Sequence, residues 1–465
     1  MSTAMPRLTE ALVAHAADLR YEDLSPKAVA AVKTFIMDGV SVGIAGSGPQ
    51  VPLNQTVRDA AQSLGSGSGN DARVWVTGER LHASSAAMVN GFQIHNQEFD
   101  CVHMPAVVHP MAVVLSSLVT AAEQRGDVDG KRLIAAVAIA VDVATLIGIS
   151  GRAPMRFFRP AMCGALGAVA GIAHLHQADE ATLHRALGLT YSHLSGTMQA
   201  HVEGSPTLAL QIAFNARAAI TAWTLANHGF PAPHEWLEGP FGYLPLIEGA
   251  FDTRPALAAL AAGDAQIELV SHKVFPTGGA AHACLDMLRE LREREDLRIG
   301  DVERIVLRAP PLVRRLVLRP YKAGMETSYA RLCLPYLTGT MMIEGRVGLD
   351  AYSAESLADP VRAQFASRLH VEPNDCDDPN ALVPQSLVVT TTDGRELHNH
   401  RDAALGSPER PLDRAQQLEK FHHCLDHAAR PFDSERRADL LIVLDRLEAL
   451  DDVRRLVDLL IVEAP

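Results

Sequence analysis

The sequence predicts a mainly α protein: a large all-helical domain formed by both chain ends, with a smaller α+β domain inserted. Three observations predict it. At 465 residues the chain is longer than one core usually fills, so two domains are expected. Ala- and Leu-rich apolar stretches at helical spacing run from about residue 8 to 260 and return after Asp413. Between them, short alternating or β-branched runs take over. The expected segments are 1–265, 266–405 and 406–465.

In order, Ser25-Pro26 reads as a cap followed by proline at the first helical position, opening a helix over Ala28–Ile44. Apolar stretches follow at Leu133–Ile147, Ala165–Leu175, Ala181–Leu189 and Leu208–Ala226, and their small residues predict close helix packing. Gln266–Val270, Val302–Arg308 and Gln385–Thr392 read as strands, with helices over Ala280–Glu293 and Tyr329–Met342 between them. Thr392-Asp393-Gly394 reads as a hairpin turn. Helices at Ala415–His427, Ser434–Leu447 and Val453–Ile461 close the chain.

Composition narrows the function. Hydrophobic residues make up 48%, enough for sizeable cores. The net charge of −13 argues against a nucleic-acid partner, while leaving room for a locally cationic site that takes an anionic substrate. Six scattered cysteines with no CxxC pair point to free thiols in a reducing compartment. The N-terminus Met-Ser-Thr-Ala-Met-Pro-Arg lacks a signal-peptide pattern. The apolar run Ala135–Ala144 is too short to span a bilayer and contains Asp142. A cytoplasmic protein with no membrane partner is the expectation.

The chemistry concentrates in His95-Asn-Gln-Glu98-Phe-Asp100-Cys-Val-His103-Met-Pro-Ala-Val-Val-His109-Pro110. Three imidazoles and two carboxylates sit close together, and a carboxylate tunes a neighbouring imidazole for proton transfer near neutral pH. No HExxH or other common zinc spacing occurs, so no metal is expected. The plain alternative is a set of capping and core-satisfying polar groups. Ser271-His272-Lys273-Val-Phe-Pro276-Thr277-Gly-Gly falls at the domain junction. There a lysine can bind a carboxylate or act as a base, and Thr277-Gly278-Gly279 offers free N–H groups to an anion. A surface lysine is the alternative. Arg159, in Phe157-Phe-Arg-Pro160, offers a planar fork for a carboxylate. The polar stretch from His193 to Arg217 contains Gln199, His201 and Glu203 and could border the same cleft, but taken alone it reads as an ordinary solvated loop. Tyr336, in Arg331-Leu-Cys-Leu-Pro-Tyr336, needs a partner for its hydroxyl and on its own reads as core. There is no phosphate loop, dinucleotide fingerprint or GxSxG elbow, so no cofactor is expected.

Taken together, these segments resemble the MmgE/PrpD family. The matching pattern is Asn90-Gly91, His95, Glu98-Phe99-Asp100, His103 and His109-Pro110, then Lys273-Val-Phe-Pro276 with His282, then Arg331–Tyr336. It closes on Gly406, Pro411-Leu412 and Lys420-Phe421. The resemblance covers nearly the whole chain. It implies a homodimer and a cofactor-free site at the domain junction. It also implies a small polycarboxylate substrate that is dehydrated, decarboxylated or epimerised.

Departures from the family pattern favour one reaction. Glu98 takes the first acidic place and Cys101-Val102 replaces the last two residues of an Asp-Phe-Asp-Asp-Thr run. Arg159 stands where dehydratase and decarboxylase members carry histidine, and Gln211-Ile212 where they carry Lys-Arg. This looks like iminodisuccinate epimerase, which inverts a carbon beside a carboxylate. The alternative is a lyase of the 2-methylcitrate dehydratase or cis-aconitate decarboxylase kind. In the expected mechanism His103 and Lys273 carry protons on opposite faces and Glu98 or Asp100 orients the imidazole. His109, able to exchange roles with His103, and Tyr336 complete the wall. Arg159, His95, His272, Thr277 and Gln199 are the expected substrate contacts.

Overall fold

The computed structural model describes residues 7–51, 53–64 and 71–463. The N-terminal residues read above for a signal peptide lie largely outside that range. Helices account for most of the rest, with a small mixed sheet in a second unit.

Capping chemistry starts the helices where the sequence says. The Ser25 side chain accepts from the Ala28 N–H at 2.9 Å and opens helix Pro26–Gly46. Asp129 opens Gly130–Ser150 in the same way, and Asp413 opens Arg414–Asp426 with a capping box to Gln416. Gly130–Ser150 is apolar on nearly all sides and forms the centre of the bundle, packed against Arg159–Leu175. Its one carboxylate, Asp142, is answered by His15 Nε2 at 2.9 Å and by the Gln266 N–H at 2.8 Å. Pro26–Gly46 and Gly130–Ser150 are long and apolar enough to cross a membrane, a length the sequence reading missed, yet 72% and 94% of their apolar windows are buried inside the fold.

The second unit holds a four-stranded sheet in the order Leu369–Pro373, Val302–Ala309, Gln385–Thr391, Glu396–Arg401. The first pair is parallel and the other two antiparallel. The expected hairpin joins the last two strands. Helix His282–Arg294 packs on the sheet, and Leu334–Glu344 packs in turn on that helix and on Pro360–Ala366. The expected strand at Gln266–Val270 is instead a 3-10 turn, Gln266–Leu269, followed by a two-residue strand, Val270–Ser271. Asp142 holds Gln266 in that turn. The expected single helix over Tyr329–Met342 breaks into Thr327–Ala330 and Leu334–Glu344, because Pro335 enforces a new helix start.

The closing helices return to the first unit. Arg414–Asp426 packs on Pro26–Gly46, and its Lys420 pairs with Asp38 at 2.6 Å while donating to the Phe99 carbonyl at 2.9 Å. The Gly406 carbonyl accepts from the His272 N–H at 2.9 Å. Both contacts brace the back of the junction from which the site is built.

Candidate active site

Helix Ala83–His95 is buried along its whole length and delivers His95 from its last turn. Glu98 then adopts φ +52°, a conformation usually left to glycine. That turn folds Asp100 back under His95, whose Nδ1 lies 3.1 Å from both Asp100 oxygens. His109, capping helix Pro110–Arg125, brings its own Nδ1 to 3.3 Å from Asp100 Oδ2. The two imidazoles meet edge to face with centroids 5.0 Å apart.

The second unit supplies the cation. Val102–His103 pairs antiparallel with Val270–Ser271, and this short ladder sets residue 273 beside Glu98. The fully buried Lys273 ammonium donates to Glu98 Oε2 at 2.8 Å and to the Glu98 carbonyl at 3.0 Å. His95 Nε2 lies 3.6 Å from the other Glu98 oxygen. Residues far apart in sequence therefore form one chain of contacts: Lys273, Glu98, His95, Asp100, His109.

Charge in this cluster is strongly biased. Burial pushes the Glu98 carboxyl up, but Lys273, then His95 and His109, bring it down to about 2. Burial raises Asp100 too, and the two histidines outweigh it, leaving the group well below the usual carboxylate range. His95 is lowered by burial yet raised overall by Asp100 and Glu98, which favours its protonated form. Burial, aided by Lys273, holds His109 below its ordinary value, which favours the neutral ring. The two imidazoles share one carboxylate but lean toward opposite protonation states, as an acid/base pair requires.

These shifts give stability a definite pH sense. Burial holds His103, His201 and His272 down to about 4 and His282 to about 3. Unfolded, each takes up a proton near 6.5, so the unfolded state binds more protons below that pH. The Glu98 contribution is complete above 4.5 and is lost as pH falls towards 2. Both effects point the same way. The melting temperature should fall progressively as pH drops from 6.5 to 4, as scanning calorimetry would record. A flat melting temperature over that window would contradict the neutral assignment of these rings.

The cluster opens into a cleft of about 390 Å³, lined by His95, Glu98, Ser205, Arg319, Ser328 and Arg331 among others. A smaller apolar recess of about 60 Å³, reached past Glu98, Leu208 and Leu332, is lined by His109, Phe158 and His201. Arg331 is buried, donates to the Gln97 carbonyl at 2.7 Å and stacks 4.3 Å over the Tyr352 ring. Arg319 donates to the carbonyls of His201 and Tyr329. Both guanidiniums are close enough to Glu98 to feel its charge. Arg319 and Arg331 thus line the cleft together with two carboxylates, Glu98 and Glu326, and their guanidiniums are donors suited to a carboxylate.

Lys273, Glu98, Asp100, His95 and His109 come together here. Other expected site residues do not. His103 is buried away from Asp100, and its Nδ1 accepts from the Ala106 N–H at 3.2 Å, so of the two interchangeable rings it is His109 that lies against the Asp100 carboxylate. Arg159 spends its fork on Glu248, at 3.0 and 2.7 Å, and cannot also grip a substrate carboxylate. The His272 ring packs on Phe35 at 4.6 Å, on the side facing Asp38. Thr277 donates its hydroxyl to the Arg331 carbonyl, bracing that residue from behind. Gln199 is exposed and bonds Glu203 outside the cleft. The Tyr336 hydroxyl donates to the Ala351 carbonyl, which is the core role. Tyr336→Phe should therefore leave kcat within about twofold while costing about 1 kcal/mol through the unsatisfied carbonyl. Chemical denaturation and steady-state kinetics on the same preparation would show both.

Sequence reading passed over Arg319 entirely. It noted Arg331 and His201 only as parts of longer segments. Arginines are mostly exposed, so nothing in the basic run Arg314–Arg319 marks one member as buried. The carbonyls that keep Arg319 in place come from two separate segments, at residue 201 and at residues 328–329. His95, Asp100 and His109 also offer ligand atoms within 4.8 Å of one another, a grouping that no sequence spacing announces. The donors suit a divalent cation chemically. The same atoms already answer one another, and Lys273 lies close enough to depress His109, so a second cation there would meet repulsion.

The layout is that of a two-unit protein whose cleft, lined from both units, gathers buried ionisable groups, an arrangement suited to acid–base chemistry. The chain belongs to the MmgE/PrpD family: the family's N-terminal domain matches residues 10–256 and its C-terminal domain residues 275–446. Among its relatives, cis-aconitate decarboxylase of Mus musculus is 25% identical over 97% of this chain and 93% of its own length. The Homo sapiens enzyme is 26% identical over 97% and 94%. A cis-aconitate decarboxylase-like protein of Aspergillus oryzae is 22% identical over 86% of each chain. The family contains enzymes, and the relatives found are lyases by name.

Proposed function

We propose that this protein is a cofactor-independent lyase that forms a carbanion beside a carboxylate of a small tricarboxylic acid of the cis-aconitate type. The observation that carries the reading is the buried Lys273 ammonium, held 2.8 Å from Glu98 beside His95, Asp100 and His109. A carbon next to a carboxylate resists negative charge, and preorganised cations are what lower that barrier. Arg319 and Arg331 hold the spectator carboxylates. In decarboxylation the electron pair of the broken C–C bond stays on carbon, carbon dioxide leaves, and a proton from the His95–Asp100–His109 cluster replaces it. Lys273 stabilises the charge between those two events.

The relatives favour this outcome over the epimerisation of iminodisuccinate that the sequence reading preferred. That preference rested partly on Arg159 as a carboxylate grip, and Glu248 occupies it. Epimerisation stays the second reading. Arg159 and Gln211 stand where decarboxylating members carry histidine and lysine, and His109 with Lys273 suffices for removing and returning one proton.

Incubation with cis-aconitate, 2-methylcitrate and iminodisuccinate isomers in heavy water separates the readings. Carbon dioxide release or an absorbing alkene marks a lyase, whereas deuterium in recovered substrate without net loss marks an epimerase. No turnover and no exchange with any of the three acids would sink both. The homodimer that the family resemblance implies is likewise a proposal, testable by sedimentation. So is a cytoplasmic location, testable by fractionation.

A further inference from the structure

We propose that Arg159 and Glu248 are positioning residues that fix His109 by gripping the backbone of Ala106 at the centre of the loop 103–109. The inference rests on the reading that His109 takes part in proton transfer. Arg159 is fully buried at the start of helix Arg159–Leu175. Its Nε and Nη2 donate to the two Glu248 oxygens at 3.0 and 2.7 Å, and its Nη1 donates to the Ala106 carbonyl at 3.1 Å. Glu248 closes a π-helical turn, Leu244–Glu248, and also accepts from the Tyr243 hydroxyl at 3.1 Å. The other backbone group of the same residue is held by His103, whose Nδ1 accepts from the Ala106 N–H. Both backbone polar groups of one residue, and with them two successive peptide units, are thus tied down three residues before His109.

The loop needs such a hold. Val107 sits at φ +51°, a conformation a β-branched residue adopts only under constraint, and it costs on the order of 1–3 kcal/mol. Released from the grip, this segment would relax and swing His109 away from Asp100. A displacement of about 1 Å in a catalytic group can cost on the order of a hundredfold in rate.

The end of helix Gly130–Ser150 is shaped to admit both parts. A Cβ on Gly151 would fall 2.4 Å from Glu248 Oε2 and 2.7 Å from Arg159 Nη2. A Cβ on Gly148 would fall 2.9 Å from the Ala106 Cβ and 3.0 Å from Val108 Cγ2. One glycine makes room for the ion pair and the other for the loop it holds. Neither the cleft nor its lining includes Arg159 or Glu248, so their contribution is indirect.

Arg159→Lys is the informative variant. A single ammonium can still pair with Glu248, but it lacks the fork that reaches Ala106 at the same time. Two measurements decide the matter: steady-state kinetics on whichever acid is turned over, and hydrogen exchange over residues 103–109 by mass spectrometry. We expect kcat to fall at least tenfold at unchanged KM, with faster exchange in that peptide. Gly148→Ala, which presses on the loop without touching the ion pair, should act in the same direction. If Arg159→Lys does not fold, Arg159→Met with Glu248→Gln removes both buried charges and serves instead. Faster exchange with wild-type kcat and KM would reduce the pair to packing and overturn the proposal, as would unchanged exchange. Should no acid be turned over by the wild-type protein, the functional reading fails while the exchange measurement still tests the grip.

Discussion

Replacing Lys273 with methionine should lower kcat by about a hundred- to a thousandfold, the scale of losing one preorganised charge stabiliser. The ammonium is fully buried and its partner is Glu98, whose side chain is 12% exposed. Two effects will therefore coincide. Turnover loses the cation that the proposed mechanism assigns to the developing charge. Stability loses a buried partner, and leaving one charge uncompensated costs roughly 3–5 kcal/mol when a buried pair is broken. Lys273→Met with Glu98→Gln separates the two. Without either charge the local structure needs no ion pair, so the melting temperature should recover most of the loss while kcat stays low. Full activity in the single variant would remove Lys273 from the reaction. Recovery of activity along with stability in the double variant would reduce it to a structural ion pair.

Asp100→Asn should cost about a hundred- to ten-thousandfold in kcat with KM within a few-fold, the scale seen when a buried carboxylate behind a catalytic imidazole is neutralised. Asp100 is fully buried and touches both His95 and His109. Its charge raises His95 and opposes the downward pull on His109. The amide keeps the shape but removes that charge and offers a donor where two rings expect an acceptor. His95 then titrates below its present range and the two rings lose their opposed protonation. The pH–rate profile should narrow or lose a limb as well as drop in height. A variant within twofold of wild type, with an unchanged profile, would make the His95–Asp100–His109 contact packing alone.

The clustering of chemistry between residues 95 and 109 was legible in sequence, because five ionisable groups in so short a span cannot all be bland. The division of labour among them was not. His103 and His109 are equivalent on paper. Pairing of Val102 with Ser271 turns His103 into the frame, where Ala106 takes its Nδ1, and leaves His109 against Asp100. Arg159 looked like a carboxylate grip because a guanidinium suits one, and a carboxylate does occupy it: Glu248, 89 residues away. Tyr336 and Thr277 were drawn toward the site by the motifs they sit in, but their hydroxyls satisfy backbone carbonyls. Strands Val302–Ala309 and Gln385–Thr391 followed from alternation, since one face of each is buried. Gln266 did not, because a buried Asp142 from a distant helix captures its N–H.

The sequence by itself determined the two-part architecture, the helix starts at Ser25 and Asp413, and the span from 95 to 109 in which the acid–base groups lie. These depend on local periodicity, capping and composition, which neighbours along the chain encode. Only the tertiary structure decided which imidazole is free, that Lys273 reaches Glu98, and that Arg319 and Arg331 line the cleft while Arg159 does not. Each of those outcomes depends on a single long-range partner, and a charged side chain's role is set by whichever opposite charge or carbonyl folding brings within about 3 Å of it.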